Sequence, residues 1–132
     1  MALAKVAVGT LTIADRQNAV NNETVTIGST VYTWKDTLAH ATPNQVKVGA
    51  TGIISIRNLA DAVLEIRPNL TNPTTYSNAT NIHPDVTAWP TGLTLFVHAN
   101  VGGTAGNSIA TTETMTQGAW SNPTLLGGTN AT

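Results

Sequence analysis

The sequence predicts an α+β fold, mainly β: an antiparallel sheet or sandwich with one packed α-helix over about residues 51–67. Three observations carry that expectation. Short apolar–polar alternations recur along most of the chain, a Gly-Ser pair divides two of them, and only one stretch changes to helical spacing. The 132 residues suit one domain, 1–132, with one core.

From Lys5 to Ile13, Val6, Val8, Thr10 and Thr12 alternate with Ala7, Leu11 and Ile13, which predicts a first strand. Next come Glu23 to Ile27, the pair Gly28-Ser29, and Thr30 to Trp34. Glycine at the first turn position permits the positive φ of a type II′ hairpin, whose twist matches paired strands. Val25 and Ile27 would then share one face with Trp34 and either Val31 or Tyr32, and which of those two points inward is left open.

Asn44 to Val48 is a short strand candidate, after which the period changes. Ile53, Ile56, Leu59, Ala60, Val63 and Leu64 recur at three- and four-residue spacing, the stripe of an amphipathic helix. Thr51 is its expected N-cap, and Arg67-Pro68 its expected stop, because proline disfavours helical backbone in the residue before it. Arg57 and Asp61 fall four apart on the wet side. The segment from Pro68 to Pro90 is rich in Asn, Thr, Pro and Ser and reads as a long loop holding a strand near Asp85 to Trp89. Leu93 to Ala99 alternates again, with Leu93, Leu95 and Val97 opposite Thr94, Phe96 and His98, and is expected to be central. A Gly-rich connection follows, then a strand from Ile109 to Met115, Ala119-Trp120, Thr124 to Leu126 and a Gly-Gly-Thr-Asn-Ala-Thr tail.

Composition narrows the function classes. Charged residues make up 10% of the chain against the roughly 25% usual in soluble domains, so much of the surface must be neutral. Thr occurs 24 times and Asn 13 times, so hydroxyls and amides carry the solvation that Lys and Glu normally supply. A net charge of −1 with no basic run speaks against binding nucleic acid. Such a weakly charged surface is tolerable where other subunits cover it. Without cysteine there are neither disulfides nor thiolate metal ligands. The start, Ala2 to Asp15, lacks the apolar core of a signal peptide and reads as part of the fold, and no run approaches a membrane span. The expectation is a protein made in a cytoplasm and soluble until it is used, with no membrane partner.

Candidate chemistry is sparse. His40, His83 and His98 lie in different expected elements, so a metal or catalytic cluster would need coincidence of folding. His83-Pro-Asp85 could set a base beside a carboxylate, but an Asp that caps a turn is the favoured reading, and His98 reads as a surface residue. No GxSxG nucleophile turn occurs. Gly102 to Gly106 invites a phosphate-cradle reading, yet no Lys-Ser/Thr follows and the next segment looks like strand, so no helix N-terminus would meet the anion. The structural reading is a tight connection in which glycines take unusual φ values and Asn107 bonds neighbouring backbone. Trp34, Trp89 and Trp120 could form a sugar platform, but with 5% aromatics the large rings are needed for core or subunit contacts. The N-x-Ser/Thr triplets at Asn22, Asn69, Asn78 and Asn130 are what a chain this rich in Asn and Thr produces by chance. The expectation is a non-enzymatic protein with no catalytic, cofactor-binding or metal-binding residue, and no cofactor.

Three segments together carry a resemblance: VTIGSTVYTWKDT (Val25 to Thr37), NQVKVGATGIISIRNLADAVL (Asn44 to Leu64), and GTAGNSIA (Gly103 to Ala110) with Trp120 and Thr124 to Thr129. In order and spacing they resemble a small structural domain of tailed-bacteriophage virion proteins, found either free-standing or joined to tail components. The resemblance implies assembly rather than catalysis and transfers no site residue. For a free-standing copy it implies a capsid decoration or cement protein in the virion, binding the outside of the head and bridging subunits of the major capsid protein. It also implies a homo-oligomer, a trimer among the options. The alternatives are a tail or baseplate component bound to tail proteins, and a carbohydrate-binding module for host attachment. The N-terminal strand and the Gly127 to Thr132 tail are expected to reach neighbouring subunits.

Overall fold

The computed structural model describes residues 2–65 and 71–132. The chain forms β1 (Val8–Ile13), β2 (Thr24–Ile27), β3 (Thr30–Lys35), β4 (Gln45–Lys47), α1 (Gly52–Leu64), β5 (Val86–Thr91), β6 (Thr94–Ala99), a 3₁₀ turn (Thr104–Ser108), β7 (Thr111–Glu113) and β8 (Gly118–Trp120). The strands make two four-stranded sheets, ordered β5-β6-β1-β8 and β4-β3-β2-β7. Every pairing is antiparallel except β3 with β4. The α+β, mainly β class follows directly from this arrangement.

The β2–β3 hairpin shows how composition sets register. Thr30 pairs with Ile27 across Gly28-Ser29, and Gly28 takes φ +63° while Ser29 stays at negative φ, the signature of the II′ turn. Alternation then puts Val25, Ile27, Tyr32 and Trp34 inside, leaving Val31 outside at 47% exposure. The choice between Val31 and Tyr32 is thereby settled for the larger ring. β6 lies between β5 and β1, as its pattern suggested, and buries Leu95, Val97 and Ala99. β5 runs beyond the expected strand, through Pro90 to Thr91. Proline is tolerated there because β5 is an edge strand, where a missing ladder donor costs little.

One hydrophobic cluster joins the two sheets. Leu11, Ile13, Leu95, Val97 and Val86 from the first meet Val25, Ile27, Tyr32, Trp34 and Val46 from the second. Helix α1 packs against β5 and β6 of one sheet and β4 of the other, adding Ile56, Leu59, Ala60 and Val63. Thr51 caps it as expected, Oγ1 accepting from the Ile54 amide at 3.3 Å. Its end differs: the helix stops at Leu64, with Glu65 left-handed at φ +46° and its N–H turned back to Ala62. Arg67-Pro68, the expected stop, lies outside the described residues.

The buried face of α1 is also rotated from the apolar stripe. Ile53 is exposed, whereas Ser55 and Asn58 point inward. Ser55 Oγ donates to Asn18 Oδ1 at 2.6 Å and accepts from the Gly49 amide at 2.8 Å, while Asn58 Nδ2 donates to the Lys47 carbonyl at 2.9 Å. These side chains satisfy backbone groups that burial would otherwise leave unpaired. A further polar brace covers β4. Tyr76 bridges Val46, and the Ser77 and Thr80 hydroxyls accept from the Gln45 and Asn44 amides at 3.0 and 2.9 Å. The Thr-rich loop thus closes an edge of the second sheet that would otherwise offer free pairing groups.

Tyr32 is buried with a phenolic oxygen that meets no protein hydrogen-bond partner, and burial pushes its ionisation well above the ordinary tyrosine range. A raised value means that the fold is favoured below the unfolded-state pKa of about 10 and loses support as pH climbs past it. Tyr32→Phe is therefore expected to stay within about 1 kcal/mol of the parent at neutral pH, since it removes an unpaired polar atom and little volume. Above about pH 10 it should outlast the parent in denaturant unfolding. A large neutral-pH loss would contradict this view of the Tyr32 site.

Candidate functional site

Strand register makes the outer side of the first sheet a continuous face. Because Leu11, Ile13, Leu95, Val97, Val86 and Ala88 turn inward, their neighbours turn out in three cross-strand rows. Thr91, Thr94, Thr12 and Ala119 form the first, and Trp89, Phe96 and Thr10 the second. Thr87, His98 and Val8 form the third, which Leu126 extends by its bridge to Val8. None of these side chains is Asp, Glu, Lys or Arg.

An aromatic group sits at the β5–β6 side of this face. Trp89 and Phe96 lie nearly parallel, centroids 5.8 Å apart, and His98 tilts against Trp89 at 5.5 Å. His98 Nδ1 donates to the Ala99 carbonyl at 2.9 Å, fixing the ring. Such pairs contribute about 0.5–1.5 kcal/mol beyond area burial, so the rings are held in place before any partner arrives. Trp89 nonetheless stays 44% exposed, and Val8 and Leu126 are exposed farther across the same face. The outer side of the second sheet differs. There Thr24, Thr26, Thr33 and Thr112 accompany Lys35 and Lys47, which bond Asn22 Oδ1 and the Asp36 carbonyl respectively. One face of the molecule is aromatic and uncharged; the other is hydroxyl-rich and basic at one end.

The remaining tryptophans do not join Trp89. Trp34 is buried in the core, and Trp120 is half-buried with Nε1 donating to the Thr112 carbonyl at 3.0 Å. A platform of three tryptophans is thereby ruled out. His40 Nδ1 accepts from the Asn78 amide at 3.0 Å, and among the described residues no cluster of three His, Asp or Glu is placed to hold a metal.

His83 departs from the expected turn. It is buried, Nε2 donating to the Ile27 carbonyl at 2.8 Å and Nδ1 accepting from the Asp85 amide at 3.0 Å. The imidazole, rather than the Asp85 carboxylate, caps this turn, and it ties the loop to the end of β2. Both ring nitrogens are occupied by backbone, which makes His83 a brace.

The Gly-rich motif also braces the fold. Asn107 grips the C-terminal tail with both amide atoms: Nδ2 donates to the Gly128 carbonyl at 3.0 Å and Oδ1 accepts from its amide at 2.8 Å. Of the motif's glycines Gly103 takes a positive φ, +120°, and Asn107 bonds Gly128, distant in sequence, rather than the neighbouring backbone expected. A Cβ on Gly128 would lie 2.3 Å from the Gly103 carbonyl, so only glycine fits. Asn130 Oδ1 accepts from the Thr104 amide at 3.0 Å. On its other side the tail pairs with the start of the chain. Lys5 and Thr129 exchange two backbone bonds at 2.9 and 3.2 Å, Val8 and Leu126 two at 2.8 and 2.9 Å, and the Thr132 amide reaches the Ala2 carbonyl at 2.9 Å. The two ends, expected to reach neighbours, are zipped to each other within the molecule.

No protein-family model matches the chain, and neither a curated protein nor a solved structure is similar to it.

If His83 and Asn107 are braces, their loss should appear as lost stability. His83→Ala removes the imidazole's bonds to the Ile27 carbonyl and the Asp85 amide, and Asn107→Ala removes both side-chain bonds to Gly128. Each is expected to cost about 1–3 kcal/mol in denaturant unfolding. An unchanged midpoint for either variant would remove it from the framework.

Proposed function

We propose that the chain is a non-enzymatic structural protein of a tailed-phage particle, a capsid decoration protein that lies flat on the head and bridges coat subunits. The observation that carries this reading is the charge-free outer face of the first sheet, with Trp89 and Phe96 stacked and exposed on it. Aromatic enrichment with depletion of charge is what distinguishes the centre of a protein interface from ordinary surface. The resemblance in Val25 to Thr37, Asn44 to Leu64 and Gly103 to Ala110 supplies the kind of partner.

Size favours a repeated partner over a single tight one. Three strands of six residues and the three-residue β8, spaced about 4.8 Å apart, cover roughly 340 Å². A stable pairwise interface takes about 800 Å² per partner. A face of this size holds weakly alone and firmly when many copies, each touching more than one coat subunit, share a lattice. Its rigidity suits the same use, because the rings are pre-stacked and little ordering entropy is lost on docking.

The reading is tested by co-sedimentation with heads of the phage that encodes the chain. Trp89→Ser with Phe96→Ser should fold like the parent and bind at least about tenfold more weakly, as expected when central aromatic anchors are removed. Val31→Ser, on the opposite sheet, should bind like the parent. Equal binding by all three proteins would overturn the assignment of this face. Capture of a glycan by the parent, abolished at Trp89, would favour the host-attachment alternative.

A further inference from the structure

We infer that the C-terminal tail is an exchangeable latch: residues 128–132 close on the N-terminal segment of their own chain when the molecule is isolated, and on that of a second copy when copies are crowded together. The inference goes beyond the particle reading and survives its failure, because it concerns only two copies of this chain.

The latch has a built receptor. Asn107 holds Gly128 by two bonds, the Thr104 amide holds Asn130, and Lys5 pairs with Thr129. Every one of these contacts joins the tail to residues 2–5 or 104–107, and a second copy presents the same groups in the same arrangement. Exchange therefore remakes each bond that opening breaks.

The tail also has a hinge and little to hold it otherwise. Up to Leu126 the chain is anchored, with Leu125 buried in the core and Leu126 paired to Val8. Gly127 then takes φ +86° in open space, with nothing near its Cβ position. Glycine can turn from that conformation to an extended one with no steric penalty. Beyond it only Gly128 is buried, against Ala7, so opening uncovers little apolar surface besides Ala7 and its main cost lies in the hydrogen bonds that exchange restores. Residues 127–132 carry no charged side chain to repel a neighbour. Extended, they reach about 20 Å, enough to cross to an adjacent copy.

Concentration decides between the two states. A short tether gives the tail an effective concentration in the millimolar range for its own receptor, so the closed form prevails in dilute solution. Crowding above that range shifts pairing to neighbours, either reciprocally in pairs or head to tail along a row.

Cysteine chemistry tests this in the full chain, which has no thiol of its own. Lys5 and Thr129 form a hydrogen-bonded antiparallel pair, with a Cα separation of about 5.5 Å that suits a disulfide. With dissolved oxygen and a copper–phenanthroline catalyst as oxidant throughout, Lys5→Cys/Thr129→Cys in one chain should close internally when dilute. A mixture of the single variants Lys5→Cys and Thr129→Cys at about 1 mM should form the mixed disulfide at least about tenfold faster than Lys5→Cys mixed with Asp15→Cys, an exposed site away from the ladder. Failure of the double variant to close would refute the ladder, and equal rates in the two mixtures would refute the exchange.

Discussion

The register of β1 is the constraint from which core, surface and chain ends follow. This strand pairs with β6 on one side, and on the other with β8 at one end and Leu126 at the other. Its alternation sends Leu11 and Ile13 into the core and Val8, Thr10 and Thr12 to the outer face. A slip of one residue would bury three polar or partly exposed side chains and expose two fully buried ones. It would also move the Val8–Leu126 bridge and with it the tail that Asn107 holds. Packing enforces the register: a Cβ on Gly9 would lie 2.8 Å from Leu125, which is fully buried there.

Much of this was legible in the sequence wherever a local pattern had a local cause. The Gly28-Ser29 turn, the alternation of β6 and the Thr51 cap depend on neighbours a few residues away, and they lie where the pattern put them. What escaped depends on distant partners. Ser55 and Asn58 look like wet-side residues until Asn18, Gly49 and Lys47 are brought beside them. His83 looked incidental because its acceptor, the Ile27 carbonyl, is 56 residues away. The helix ends early because Glu65 accepts a left-handed backbone, a choice that no glycine announced. The candidate face was half legible: Phe96 and His98 were assigned to one side of their strand, but only pairing with β5 places Trp89 against them.

Low charge and high threonine content make sense together on this architecture. Threonine suits exposed strand positions, where its β-branched side chain packs on the pleat while its hydroxyl stays wet. Thr12 and Thr94 pair across strands on the first sheet at 3.0 Å, and Thr24 and Thr114 on the second at 3.1 Å. Hydroxyl ladders of this kind keep a β-surface hydrated without the fields that would repel like copies. Both outer faces can therefore come close to other protein, and the aromatic group marks the one better suited to being covered. The polar loop over β4 and the zipped chain ends deny casual partners the pairing groups that bare strands would offer.

The claim that the outer face of the first sheet is the contact surface is tested most directly by hydroxyl-radical footprinting of the protein free and bound to particles. Trp89 and Phe96 are exposed in the isolated molecule and should lose most of their oxidation on the particle, while Val31 on the opposite face keeps its own. Equal oxidation of Trp89 in both states, or protection confined to Val31, would contradict the account.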